Sequence, residues 1–454
     1  MKIFQSVVIT TFAMRRFLLA TISILLTLPA MAESKKQTQA RAEVLSRNKG
    51  FYKEVLMDGG ISLTSRHFLP ATRFLGVKMD YFASAPNNKL TKQDTLRQNN
   101  IICGSKDDTN GWLLYPDGAP RYRMIYVNGG KSGAHARSLG EEGRQRIQEY
   151  IAAGGSYVGT CAGAYIATKG SVRRSGGVSF ADLYWGLWPG YAQGTRLSKS
   201  FTTMSLPKRS PLLRYFDFGG DREVANIRHN GGCSAYEGKI ASLPEGTEVL
   251  ARYIFDNTEK VQIDGKISVW GYKANEQSGR VVLCGSHPES IAEGERLEFM
   301  SAMMLYAMDG NPAPKIKGVL REGEVREMNK RTEDNDPAYT CIGDRQYHHF
   351  EIDVPRKCKR VIVKLDGYKG EKRYDLTLCA KRGELAFHDN TLLKSVARGF
   401  KKSLTIEKPK AGKWYVSVLC ETTVTPLVGK YGTYYRGRIG VLNGVPYKIS
   451  VEYE

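Results

Sequence analysis

Ala153-Gly154-Gly155-Ser156-Tyr157-Val158-Gly159-Thr160-Cys161-Ala162-Gly163-Ala164-Tyr165 decides how the chain is read. Ser156-Tyr157-Val158 is a short apolar strand, Ala162 to Thr168 starts a helix, and Gly159 and Gly163 flank the cysteine between them. Glycines on both sides let the backbone turn tightly while the residue between them projects from the turn. A thiol placed there has a helix N-terminus and free amide groups beside it, which suits a nucleophile. Small residues also surround structural buried cysteines. The pentapeptide therefore needs partners before it means chemistry.

Working outward, short apolar runs alternate with amphipathic ones. Val55-Leu56-Met57, Val77 to Phe82 and Met124-Ile125-Tyr126-Val127 precede the helical stretch Glu141 to Ala153. Later strands are read at Val224 to Ile227, Val249 to Tyr253, Ile267 to Trp270 and Val281 to Leu283, with a helix from Ile291 to Met308 stopped by Asp309-Gly310-Asn311-Pro312. The alternation predicts an α/β fold, a parallel sheet flanked by helices. In such sheets ligands gather at the carboxyl ends of strands, and three segments end there. Cys161 is the first. The second is His287-Pro288-Glu289, delivered by Arg280-Val281-Val282-Leu283-Cys284-Gly285. In extended geometry His287 and Glu289 point to one side, so the carboxylate can orient the imidazole as base for Cys161; alternatively this is a surface His-Pro turn. The third is Asn128-Gly129-Gly130, either an oxyanion-binding turn or a plain glycine turn.

Gly159 to Gly163, His287-Pro288-Glu289 and Gly129-Gly130 together resemble the class I glutamine amidotransferase-like superfamily over residues 50 to 310. Within it the opening stretch is most similar to the biotin-protein ligase N-terminal domain family. The resemblance implies a flavodoxin-like sheet, Cys161 as nucleophile, His287 as base, Glu289 as orienter, and the amides of Gly130 and Ala162 as oxyanion hole. Tyr165 stands four residues beyond the nucleophile, where glutamine-using members carry Gln. No ligase catalytic domain or synthetase domain is read in the chain, so neither biotin transfer nor amidotransfer is expected.

The termini read differently. Arg15 and Arg16, the apolar run Phe17 to Leu28 and the small-residue site Ala30-Met31-Ala32 make residues 1–32 an export signal, with Met1 or Met14 as the start. A dozen apolar residues falls short of the roughly 20 a spanning helix needs, so no stable transmembrane anchor is expected. Residues 33–48 are a polar lead-in to the α/β domain at 49–312; 313–340 are dense in Lys, Arg and Glu and read as a charged linker. From 341 to 454, period-two runs such as Phe350-Glu351-Ile352-Asp353-Val354 and Trp414-Tyr415-Val416-Ser417-Val418 predict a small antiparallel β-sandwich. Ala411 to Val416 and Pro446 to Val451 resemble the bacterial pre-peptidase C-terminal domain, which implies a secretion, stability or attachment role.

The 454 residues carry a formal net charge of +21, three of the positive charges lying in the signal at Lys2, Arg15 and Arg16. Lys and Arg are spread without a nucleic-acid reader pattern, so no nucleic acid is expected, and the basic surface suits an anionic envelope component or polysaccharide. Eight cysteines in an exported chain raise disulfides, but zinc spacing is absent and no metal or cofactor is expected. His348-His349 is read as a solvent-facing pair. Tyr165 and His229 are candidate substrate-pocket residues, His229 equally a turn-capping histidine, while Trp185 and Trp188 read as core. Two functions follow: an exported cysteine hydrolase acting on an amide or related acyl bond of a small-molecule or peptide substrate, or a noncatalytic ligand- or envelope-binding protein that retains the same pocket.

Overall fold

A computed structural model describes residues 34–47, 53–58, 69–82, 102–104, 108–179, 183–331, 336–368, 374–429 and 432–454; the segment expected as an export signal, residues 1–32, falls outside them. The first part of the chain comprises helices α1 (Lys35–Ser46), α2 (Pro70–Leu75), α3 (Ser132–Ala152), α4 (Ala162–Ile166) and α5 (Gly294–Asp309). Its strands are β1 (Lys53–Asp58), β2 (Met79–Phe82), β3 (Tyr122–Val127), β4 (Ser156–Thr160), β5 (Thr168–Val172), β6 (Val178–Ser179), β7 (Trp188–Gly194), β8 (Ser200–Ser205), β9 (Glu223–His229), β10 (Cys233–Ala235), β11 (Thr247–Ile254), β12 (Ile267–Lys273) and β13 (Arg280–Cys284).

All thirteen strands join one sheet. Five of them run parallel in the order β2-β1-β3-β4-β13. Beyond β13 the sheet continues through β12, β10, β7, β5 and β6, with β11, β8 and β9 branching from β12, and the pairings are antiparallel except β5 with β7. The expected all-parallel sheet thus gives way to a mixed one. Parallel neighbours need crossovers, usually helical, and among the described residues between β5 and β13 the helical elements are two 3₁₀ turns, so the strands there pair mostly as hairpins.

The parallel strands are covered on both faces, as such strands must be. Met124 and Tyr126 of β3, Val158 of β4 and Val282 and Cys284 of β13 enter one core with α5, whereas Ile125, Val127, Tyr157, Val281 and Leu283 enter the other with α3. α5 is buried from Phe299 to Met308 without a polar face, because α1, α2 and the sheet enclose it.

α1 occupies the segment expected as a solvated lead-in. Ser34 caps it, its hydroxyl accepting from Gln37 N at 3.2 Å. Ala40 and Val44, four apart, are buried against the core. The Arg41 guanidinium lies 4.7 Å from the Phe216 ring centroid and donates to Tyr215 O at 2.7 Å.

The remainder forms β14 (Ile316–Val319), β15 (Val325–Met328), β16 (Tyr347–Val354), β17 (Arg360–Gly367), β18 (Leu376–Arg382), β19 (Lys394–Ser395), β20 (Lys402–Glu407), β21 (Gly412–Cys420), β22 (Val424–Gly429), β23 (Gly432–Gly437) and β24 (Tyr447–Tyr453). Sheets of order β14-β16-β21-β18-β19 and β15-β24-β17-β20 are antiparallel apart from β14 with β16, and β22 and β23 make a hairpin. The stretch expected as a linker therefore supplies one edge strand to each sheet. Phe350, Ile352, Val416 and Leu378 of the first and Val361, Val363, Ile406 and Ile449 of the second share a core. That core continues into the first part of the chain, where Arg121 and Asp344, both wholly buried, form an ion pair and Lys317 meets Asp117 at 2.6 Å. All eight cysteines are described, and none is in a disulfide. Among the described residues no helix is long and apolar enough to cross a membrane.

Candidate active site

β4 ends at Thr160 and α4 begins at Ala162, so Cys161 alone makes the turn, with φ 48° and ψ −104°. Such a conformation costs a non-glycine residue roughly 1–3 kcal/mol. Cys161 N donates to Cys284 O at 2.9 Å, and Cys161 O accepts from Tyr165 N at 3.0 Å, which fix the turn between β13 and α4. A Cβ on Gly163 would lie 2.1 Å from Val127 O, so only glycine lets α4 start this close to β3.

His287 arrives from the loop after β13. Its N–H donates to Arg228 O at 2.8 Å, an isolated bridge to β9. Its Nδ1 and Glu289 Oε1 are 2.9 Å apart, and the Cys161 side chain lies beside the same ring. All three residues are buried, Cys161 at 6% exposure. Burial disfavours the imidazolium, but the Cys161 and Glu289 side chains beside the ring outweigh it and push the His287 pKa up to about 10. Gly129 closes the space beneath: a Cβ there would sit 2.2 Å from His287 Cε1 and 3.2 Å from Cys161 Cβ. Gly130 follows in the same turn, and Ala162 is the first residue of α4, whose amide has no carbonyl one turn back within the helix.

The pocket candidates are placed differently. His229 is wholly enclosed, Nε2 2.7 Å from Thr195 Oγ1 and Nδ1 2.7 Å from Ser286 Oγ. Burial, then the charge of His287, pushes its pKa down to about 4, so it is a neutral strut behind His287. Its neighbour Asn230 reaches the site itself, its carbonyl 3.8 Å from Cys161 Sγ. The half-buried Tyr165 ring packs against Tyr184, with centroids 6.0 Å apart. Trp185 and Trp188 are core, Trp188 lying 5.3 Å from Trp270 between centroids. Thr195 and Ser286 carry no motif that sequence reading could have used: Thr195 meets His229 across 34 residues, and Ser286 shows only its adjacency to His287.

Residues 119–308 match the family model described as "Biotin-protein ligase, N terminal". That segment runs from the approach to β3 through α5, so it contains Cys161, His287 and Glu289, whereas β1 and β2 extend the same sheet outside it. An "Uncharacterized protein" of Chlamydia muridarum (strain MoPn / Nigg) is 32% identical over 114 residues, which is 24% of this chain and 43% of that protein. The chain thus spans less than half the length of this curated relative. A solved glutamine amidotransferase is 18% identical, covering 40% of this chain and 80% of its own, with a TM-score of 0.27. PliG of Aeromonas hydrophila, a periplasmic inhibitor of g-type lysozyme, is 14% identical, covering 31% of this chain and 98% of its own, with a TM-score of 0.19.

Proposed function

We propose that this chain, whose residues 119–308 match the biotin-protein ligase N-terminal family, is an exported cysteine hydrolase that cleaves an amide or related acyl bond. The observation that carries the reading is a single imidazole, His287, hydrogen-bonded to Glu289 and packed beside a cysteine at a left-handed strand-to-helix turn. The sheet order β2-β1-β3-β4-β13 supports a flavodoxin-like core for the site, and the two C-terminal sheets read as a sandwich that attaches the enzyme to an anionic envelope component.

With its pKa pushed up to about 10, His287 is protonated at neutral pH. Cys161 sulfur attacks the acyl carbon, the C–S bond forms, and the carbonyl π electrons move to oxygen, where the amides of Gly130 and Ala162 receive the charge. The C–N bond then breaks as His287 gives its proton to the departing nitrogen, leaving a thioester. Neutral His287 takes a proton from water, hydroxide oxygen attacks the thioester, and the acid departs as the sulfur leaves. Glu289 holds the ring in register throughout.

A thiol-directed electrophile tests this. Labelling of Cys161 is expected, lost in Cys161→Ala and reduced by roughly 10²-fold or more in His287→Ala. Equal labelling of parent and His287→Ala overturns the mechanism and leaves a retained binding scaffold.

A further inference from the structure

The geometry points to a second ligand site, for a neutral, mainly apolar small molecule with one hydrogen-bonding group, at the junction between the α/β sheet and the C-terminal sheets. A cavity of about 410 Å³ lies there, within the roughly 300–1,000 Å³ typical of small-molecule sites. Ala153 and Gly154 form one wall, at the opposite end of β4 from Cys161. The site therefore stands or falls independently of the hydrolase reading.

The walls say what fits. Tyr115, Tyr347, Pro120, Pro312, Pro314 and Pro337 give rigid apolar surface. The charges inside already satisfy each other. Lys317 Nζ donates to Asp117 Oδ2 at 2.6 Å and to Pro337 O, and Asp117 Oδ1 accepts from Ala119 N at 3.1 Å. Although burial opposes it, Lys317 holds the Asp117 pKa down to about 2, so the pair stays ionised and offers no net charge. At the edge, Lys315 and Asp336 are again of opposite sign. A charged ligand would be desolvated here with nothing to neutralise it.

Among the described residues, a buried nitrogen of the lining lacks a partner. Tyr347 and His349, two apart on β16, both line the cavity, their rings stacked 5.7 Å apart between centroids. His349 is 1% exposed, and its Nδ1 is 2.7 Å from Ser417 Oγ, but its Nε2 has no hydrogen-bond partner. Burial keeps the ring neutral, its pKa pushed down to about 3. An unsatisfied buried nitrogen calls for an explanation, and a hydroxyl can serve either tautomer, accepting from Nε2–H or donating to bare Nε2.

Three probes sharing one ring system test the assignment by isothermal titration calorimetry and saturation-transfer NMR on the full chain: 2-naphthol, 2-naphthoate and 2-naphthylmethylammonium. Saturable 2-naphthol binding is expected, at least tenfold tighter than for either ion. His349→Phe is expected to weaken it at least fivefold, and Ala153→Trp, which fills the cavity, to abolish it. If Ala153→Trp fails to fold, as judged by circular dichroism, Ala119→Leu at the same wall replaces it. Absence of saturable 2-naphthol binding, equal binding of the ions, or unchanged binding in His349→Phe or in a folded cavity-filling variant overturns the proposal.

Discussion

Gly129 leaves no room for a side chain beside the His287 imidazole, because a Cβ would meet His287 Cε1 at 2.2 Å. In Gly129→Ala the ring must move, and displacement of about 1 Å costs on the order of 10²-fold in rate. We expect a loss of that size in electrophile labelling of Cys161, with the circular dichroism spectrum and melting temperature little changed; labelling at the parent rate would mean that His287 does not act on the sulfur. The two histidines of the site also titrate in opposite senses. The folded protein holds on to the His287 proton up to about pH 10, whereas the unfolded chain releases it near 6.5, so its stabilisation is complete below pH 6.5 and disappears as pH rises through 10. His229 stays neutral in the fold down to about pH 4, so its contribution is present above pH 6.5 and lost as pH falls through 4. Urea denaturation across pH 4 to 10 should show His287→Gln flattening the alkaline limb and His229→Gln the acid limb; the same limb flattened by both variants would refute the assignment.

Helix α1 is attached through few apolar atoms, yet they are placed to matter. Val44 is fully buried, and its carbonyl accepts from Arg123 Nη1 at 2.8 Å. Val44→Ala removes two buried methyl groups, and a loss of about 1.5–2 kcal/mol is expected from urea denaturation; below about 0.5 kcal/mol the helix would contribute nothing to the core. Its sequence hid this, because its apolar residues are few, Ala40, Ala42, Val44 and Leu45, and only Ala40 and Val44 are buried. Strands β14 and β15 were hidden similarly: Ile316, Val319 and Val325 lie on edges and stay exposed, so charge density dominated the reading of 313–340. The β3, β4 and β13 segments were legible since each holds an unbroken apolar run, Met124 to Val127, Tyr157-Val158 and Val281 to Cys284, that meets a glycine within two residues, a local signal that needs no knowledge of the rest of the fold. What depends on distant contacts was not. His348 and His349, expected to face solvent, are buried on opposite faces of β16, against Tyr447 and Ser417, because the α/β part covers a face that an isolated sandwich would leave wet.

That covering makes the two parts of the chain one thermodynamic problem. At the junction Arg121 stacks over Trp112 and Tyr115, with centroid distances of 4.7 and 5.1 Å. Its charge is balanced by Asp344, whose other oxygen accepts from Thr423 Oγ1 at 3.1 Å. Removing one member of a buried pair leaves the other desolvated, at about 3–5 kcal/mol. Asp344→Ala should therefore lower the calorimetric melting temperature and, if the junction couples the parts, resolve one transition into two. Arg121→Met added to Asp344→Ala should restore much of the loss, since an apolar pair of similar volume needs no counter-charge. Two outcomes separate the contributions: rescue without a return to one transition assigns the pair to stability and the ring stacking to coupling, whereas full rescue of both assigns the coupling to the shared apolar core. A loss under about 1 kcal/mol in Asp344→Ala would instead place Arg121 in contact with water, which its complete burial opposes.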